Sequence, residues 1–416
     1  MKRRRYEHRC ASHIAAAVIV VITTSTTLVA QQPAAPADAK PPVAASVELP
    51  PVPDGDAAAL FAYIERVKKI DPPAGDVPAV VAHLIKVHTA VLAALDKIEK
   101  AGAQAGEAEQ TRVVADKLTS MQLLRRLEAP GAAEKMQQYL TQLSADKRPF
   151  VPPLAKIYQL AGRLQELDRN NPAEVEKLLA DVREHVRSAK PDARNLAIAL
   201  QTAMAAEAVG LVKQAAEAYI EFAAAFALSD DKQVVENSER LAGAARLLGL
   251  VGNPIELKGK ALDGKPFDAA KLKGKVVLVD FWATWCGPCL ADMPSLRAAY
   301  KAYHERGFEI VGISLDDDAA RLKAFIEREE LPWTILTGDD AATSGWNHPS
   351  AVHYGILSIP RAVLIDRDGK VVSIAAHGEA LWELLAKQIG PVEEPKPEDA
   401  KPGEAKPADG AKPAEK

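Results

Sequence analysis

Residues 279–289 read VDFWATWCGPC, and the rest of the chain is best read outward from them. Two cysteines, Cys286 and Cys289, stand three positions apart, and the chain's third cysteine, Cys10, lies far away near its beginning. An acid, Asp280, interrupts the apolar run 276–282 just before them. A continuous apolar run of this length reads as a strand buried on both faces. An ionised carboxylate inside such a strand is costly, so the pKa of Asp280 is expected to be raised.

Two cysteines at i and i+3 can close a small ring if the first lies at a helix start. There the exposed N–H groups and the positive end of the helix dipole favour thiolate over thiol. Gly287 permits close approach, and Pro288 suits a first helical turn, where its missing N–H would go unpaired anyway. Cys286 is then the accessible, acidified nucleophile, while Cys289, one turn in, is shielded and resolves a mixed disulfide. Paired cysteines are also common zinc ligands. Zinc would need two further ligands, and Cys10 precedes a segment that reads as an export signal, so no metal is expected.

Downstream of Gly252, short β runs alternate with helices. Residues 255–262 lead into Asp263-Gly264-Lys265, a hairpin signal. The strand 276–282 is followed by a helix to residue 304, a second buried strand over 308–315 and a helix over 319–328. Runs 361–365 and 371–375 flank Asp366-Arg-Asp-Gly369, a second hairpin, and 379–389 closes as an amphipathic helix. A β-α-β half followed by a β-β-α half predicts an α/β fold, a central mixed sheet flanked by helices.

Upstream, residues 56–250 carry apolar residues at helical spacing with little strand alternation. Breaks fall at 71–76, 128–132, 145–153, 168–174, 189–193 and 228–232, with Asn171-Pro172 and Ser188 marking a start and a stop. This predicts an all-α domain of helical hairpins. His83 and His88, five apart, do not share a helical face and read as packing or surface residues.

The ends are different again. A basic head, MKRRRYEHRC, then an apolar, threonine-laced stretch ending near Ala30, reads as a signal peptide or N-terminal anchor over 1–30. Residues 31–55 form a Pro/Ala-rich linker, and 391–416 a Lys/Glu/Pro/Ala tail that composition leaves disordered. At 416 residues the chain has room for two or three domains, and its net charge of −4 argues against a nucleic-acid binder.

FWATWCGPC, with Asp280 six residues before Cys286 and Pro294 five after Cys289, resembles the thioredoxin fold. The longer stretch GKVVLVDFWATWCGPCLADMPSL, with YGILSIPRAVLIDRDGKVV downstream, resembles exported thiol–disulfide oxidoreductases of the TlpA/ResA-like family. The resemblance covers residues 252–390, about a third of the chain. It implies a dithiol enzyme whose Cys286–Cys289 pair is its redox centre without further cofactor, and in which Asp280 accepts a proton from Cys289. Family members commonly carry a Glu three residues after the second cysteine; here Asp292, one methylene shorter, stands there. Ile359-Pro360 resembles the cis-proline loop that faces the cysteines and pairs with an extended substrate segment. Arg361 departs from the small polar residue usual in thioredoxin. Its charge either favours acidic partners or points away as a solvated strand residue. Trp285 reads as contact surface, Trp282 as packing, and Gly287, Pro288 and Pro294 as structural residues of the site.

His348 and His353 lie near the proline loop, but a copper chaperone of this fold would space its cysteines CxxxC, which this chain does not.

The expected function is reduction of protein disulfides in the periplasm or cell envelope. The expected partners are exported disulfide-containing proteins, apocytochrome c among the candidates, and a membrane thiol electron donor. The alternative makes residues 56–250 a partner-binding scaffold that restricts or senses through the redox domain.

Overall fold

The structure, a computed structural model, describes residues 48–392 apart from 74–76, 102–105, 263, 266, 339 and 341. The signal or anchor segment, most of the linker, Cys10 and nearly all of the tail lie outside the described residues. The described chain forms two compact units that divide between Glu166 and Leu167.

The first unit is helical: α1 (Ala57–Val67), α2 (Val77–Ala101), α3 (Glu107–Arg126), α4 (Ala132–Ser144) and α5 (Val151–Glu166). Asp56 starts α1 by accepting the Ala59 N–H at 2.9 Å, satisfying a donor the first turn cannot pair internally. Leu60, Ile64 and Val67 of α1 interdigitate with Val87, Val91, Leu95 and Ile98 of α2, all almost fully buried. Among the described residues, α2 is long and apolar enough to cross a membrane, with mean hydropathy 1.6. In the fold it packs between α1 and α3. His83 bonds the Ile70 carbonyl at 3.1 Å and His88 the Ser120 hydroxyl at 3.2 Å, so both serve packing.

The second unit opens with four more helices, α6 (Pro172–Ser188), α7 (Ala193–Ala208), α8 (Val212–Phe226) and α9 (Lys232–Leu248). Pro172 occupies the first turn of α6, and Asp192 and Asp231 cap α7 and α9 through their side chains. The facing positions of α7 and α8 are small (Ala199, Ala203, Ala206, Ala215, Ala218), which lets these helices approach closely around Tyr219 and Phe222.

A six-stranded sheet follows in the same unit: β1 (Lys260–Ala261), β2 (Val276–Trp282), β3 (Phe308–Ser314), β4 (Thr334–Thr337), β5 (Arg361–Ile365) and β6 (Val371–Ser373). Their order is β1-β4-β3-β2-β5-β6, with β2–β3 and β3–β4 parallel and the other pairs antiparallel. Helices α10 (Gly287–Tyr303), α11 (Ala319–Glu329), α12 (Pro349–His353) and α13 (Gly378–Ile389) flank it. This is the thioredoxin-like mixed sheet expected from the sequence. All seven residues of β2 are buried, as its unbroken apolar run requires.

Two local expectations meet a different outcome. The Ala261–Lys265 turn does close, with the Ala261 N–H on the Lys265 carbonyl at 3.1 Å, but among the described residues no return strand follows. Instead β1 pairs with β4, a four-residue strand too short to stand out in the sequence. The hydrophobic cluster around β2 also includes Leu247 and Leu250, so the redox domain's core continues upstream of Gly252. Composition changes at Gly252 because helical periodicity stops there; the packing changes earlier.

Candidate functional site

Strand β2 ends at Trp282, and the chain then loops through Ala283, Thr284 and Trp285 into α10. A buried carboxylate holds this loop. Asp316, just past β3, accepts the Thr284 N–H at 3.0 Å, the Thr284 hydroxyl at 2.5 Å and the Ser314 hydroxyl at 2.9 Å. Three donors on one acid compensate its burial.

Cys286 is the N-cap of α10, with Gly287 and Pro288 opening the first turn. It is joined to Cys289 in a disulfide with Cα atoms 5.3 Å apart. Its sulfur accepts the Cys289 N–H at 3.2 Å, so a helix-start donor points at the atom that would carry thiolate charge. The expected contrast in accessibility is small, with Cys286 5% exposed and Cys289 3%. Trp285 is 46% exposed, and its ring lies 6.2 Å from that of Trp346, on the turn following β4. Trp282 is buried against Phe325. Pro294 lies inside α10, where it cannot donate to the Leu290 carbonyl.

Asp280 is buried in the middle of the sheet, level with Gly312 on β3 and Ala362 on β5. Burial pushes its carboxyl up to about 7; His377 opposes that rise and the neighbouring charge of Asp292 adds to it. Asp292 lies one helical turn beyond Cys289, its carboxylate 3.8 Å from His377 Nδ1. The ring's Nε2 accepts the Ala362 N–H at 3.1 Å, which leaves the ring proton on the nitrogen facing Asp292. Two acids and a histidine thus act on one another between β2 and α10.

The Ile359–Pro360 bond is cis. Arg361 pairs with Phe281 across the sheet, which puts Pro360 beside the end of β2 from which the cysteine loop emerges. The Arg361 guanidinium is neither free nor solvated. It forms an ion pair at 2.7 Å with Glu207 of α7, both side chains largely buried. Arg361 therefore offers acidic partners no unpaired positive charge, because helix α7 supplies its counterion.

His348 and His353 do not converge on the cysteines. His348 is fully buried and caps α12 by accepting the Ser350 N–H at 3.2 Å, and the His353 ring lies edge-on to Tyr354.

Sequence reasoning missed His377, Asp316, Trp346 and Glu207. Only Asp316 had a local signal, an acid directly after a buried strand in SLDDD.

Residues 250–380 match the Redoxin family model. The thiol-disulfide oxidoreductase ResA of Bacillus thuringiensis is 34% identical over 130 residues, 31% of this chain and 69% of that protein. Its namesake from Halalkalibacterium halodurans is 31% identical over 117 residues, 28% of this chain and 62% of that one. Among solved structures, the thioredoxin domain of a thiol-disulfide oxidoreductase from Bacteroides vulgatus is 28% identical, covering 33% of this chain and 97% of that domain, with a TM-score of 0.31. A Cys-Gly-Pro-Cys disulfide at a helix start, on a sequence this similar over most of a curated relative's length, makes this chain a member of the ResA-like family of thiol–disulfide oxidoreductases.

Proposed function

We propose that this oxidoreductase is exported and reduces disulfides in other exported proteins. The observation that carries the reading is the Cys286–Cys289 pair at the start of α10, with the buried acid Asp280 on the adjoining strand. In the reduced enzyme the Cys286 thiolate attacks one sulfur of a substrate disulfide, forming a mixed disulfide and expelling the other sulfur as a thiolate that takes up a proton. Cys289 gives its proton to the Asp280 carboxylate and attacks Cys286. The substrate's second sulfur leaves as a thiolate that takes the proton back from Asp280, and two electrons have moved from enzyme to substrate.

Ile359 and Pro360 would hold an extended substrate segment along the end of β5, with Trp285 beside it. Asp292 and His377 would set the proton affinity of Asp280. Gly-Pro between the cysteines matches thioredoxin, at about −270 mV, rather than the oxidant DsbA, near −120 mV. The basic and apolar N-terminal stretch supports export, and a reductant outside the cytosol needs a membrane thiol donor to restore it. Cysteines of apocytochrome c are candidate clients by family resemblance.

The reading is tested by equilibrating the chain in graded thiol/disulfide buffers and counting trapped thiols. A two-electron transition near the thioredoxin value supports a reductase; one near that of DsbA reverses the direction of electron flow. Cys286→Ser should abolish turnover, and a variant that still reduces disulfides would defeat the mechanism.

A further inference from the structure

Helices α7 and α9 contact the dithiol domain within one compact unit, beside the substrate site proposed above. Glu207, in the last turn of α7, holds Arg361, the residue after the cis-proline, at 2.7 Å. Arg240 of α9 donates to the Trp346 carbonyl at 2.8 Å and to the Asn347 side chain at 2.9 Å, fixing the turn whose indole faces Trp285. Arg246 donates to the His353 carbonyl at the end of α12. Behind these contacts Gly243 lies so close to Gly355 that a Cβ on it would come within 2.5 Å of the Gly355 nitrogen.

An acid in the last turn of a helix opposes the helix dipole, so nothing in α7 itself favours Glu207 there. Its compensation is Arg361, with the Tyr219 hydroxyl at 3.4 Å on its other oxygen. A largely buried ion pair is also a weak source of stability, because desolvation offsets most of its attraction. Its distinct consequence is electrostatic: the one cation on the strand leaving the cis-proline is neutralised.

We propose that Glu207 is a specificity residue, which by pairing with Arg361 makes the dithiol site select extended, disulfide-bearing segments with neutral or apolar residues beside the cysteine over acidic ones. This rests on the docking of an extended segment at Ile359–Pro360 proposed above. The rim such a segment meets is aromatic, from Trp285 and Trp346, and its charge is cancelled by a helix far upstream in the sequence.

The test uses the full chain and two disulfide-linked fluorogenic peptides identical except for Asp or Asn on each side of the cysteine, with hydroxyethyl disulfide as a third substrate. The measured quantity is the acidic-to-neutral ratio of kcat/KM within each variant, which normalises for overall activity. Glu207→Gln uncovers Arg361 and should raise the ratio about threefold to tenfold, mainly through KM. Arg361→Gln uncovers Glu207 and should lower it by a similar factor. The charge-exchanged variant E207R/R361E restores the pair and should return the wild-type ratio, so the proposal stays testable if a single variant folds poorly. Ratios within twofold of wild type in both single variants would overturn the specificity role. A wild-type chain that reduces neither peptide faster than hydroxyethyl disulfide would instead overturn the docking reading beneath it.

Discussion

The imidazole of His377 accepts the backbone N–H of Ala362, the residue directly across the sheet from Asp280. Strand β6 ends at Ser373, so beyond it the side chain of His377 takes over a hydrogen bond that a longer strand would have made. The same ring faces Asp292 on α10. One histidine therefore ties the sheet edge to the buried acid and to the helix that carries the cysteines.

Asp280 makes stability depend on pH in a stated direction. Its carboxyl titrates at about 7 in the folded protein against an ordinary value of 3.8. Between those values the folded chain keeps a proton that the unfolded chain has lost, so stability falls as pH rises from about 4 to about 7 and stays low above. The penalty is on the order of 4 kcal/mol. Asp280→Asn should therefore stabilise the oxidised protein at pH 8 and leave it unchanged near pH 4. Urea unfolding at both values checks this, and an equal difference at both would remove the buried-charge account. Turnover should fall about a hundredfold to ten-thousandfold, as the proton-acceptor role proposed above requires.

His377→Ala should act on the same titration. His377 holds the Asp280 carboxyl down, so its removal moves the pH of the stability change upward from about 7. It also takes the acceptor from the buried Ala362 N–H, costing about 1 kcal/mol. An unmoved midpoint with a normal stability cost would leave His377 purely structural.

The Asp316 cluster predicts an order of effects. Asp316→Ala strands the Thr284 N–H and two hydroxyls in the interior and should cost about 3 kcal/mol or more. Thr284→Val removes a single donor and should cost about 1–2 kcal/mol. Both should slow single-turnover thiol exchange, because the loop they loosen carries Cys286. Equal unfolding midpoints for the two variants would contradict the network.

Gly243→Ala isolates the seating of α9 on the redox domain. The added methyl meets the backbone of Gly355, which cannot swing aside as a side chain can. A loss of about 1–3 kcal/mol is expected from such overpacking. Gly249→Ala is the matched control: its Cβ meets nothing nearer than 3.6 Å, so its unfolding midpoint should barely change.

What could be read from the sequence was local. The dithiol, the helix start at Cys286, the buried strand around Asp280 and the hairpin at Asp366–Gly369 each lie within a dozen residues and follow from periodicity and turn chemistry. Ile359–Pro360 was visible only through family resemblance. Glu207 was not visible, since an acid near a helix end reads as surface and its partner Arg361 lies more than 150 positions later. His377 carried no signal either; its role comes from β6 stopping short, which alternation alone does not mark. Strand β4 needed β1 and β3 on either side of it to become a strand.

Leu247 and Leu250 belong to the same hydrophobic cluster as β2 and the two cysteines. A gene rearrangement joining a new upstream domain at Gly252 would leave that cluster open to water on one side. A junction near Leu167 would carry the counterion of Arg361 and both leucines along with the dithiol. The smallest piece of this chain that keeps both the dithiol's hydrophobic core and the counterion of Arg361 is thus larger than the motif that announces it.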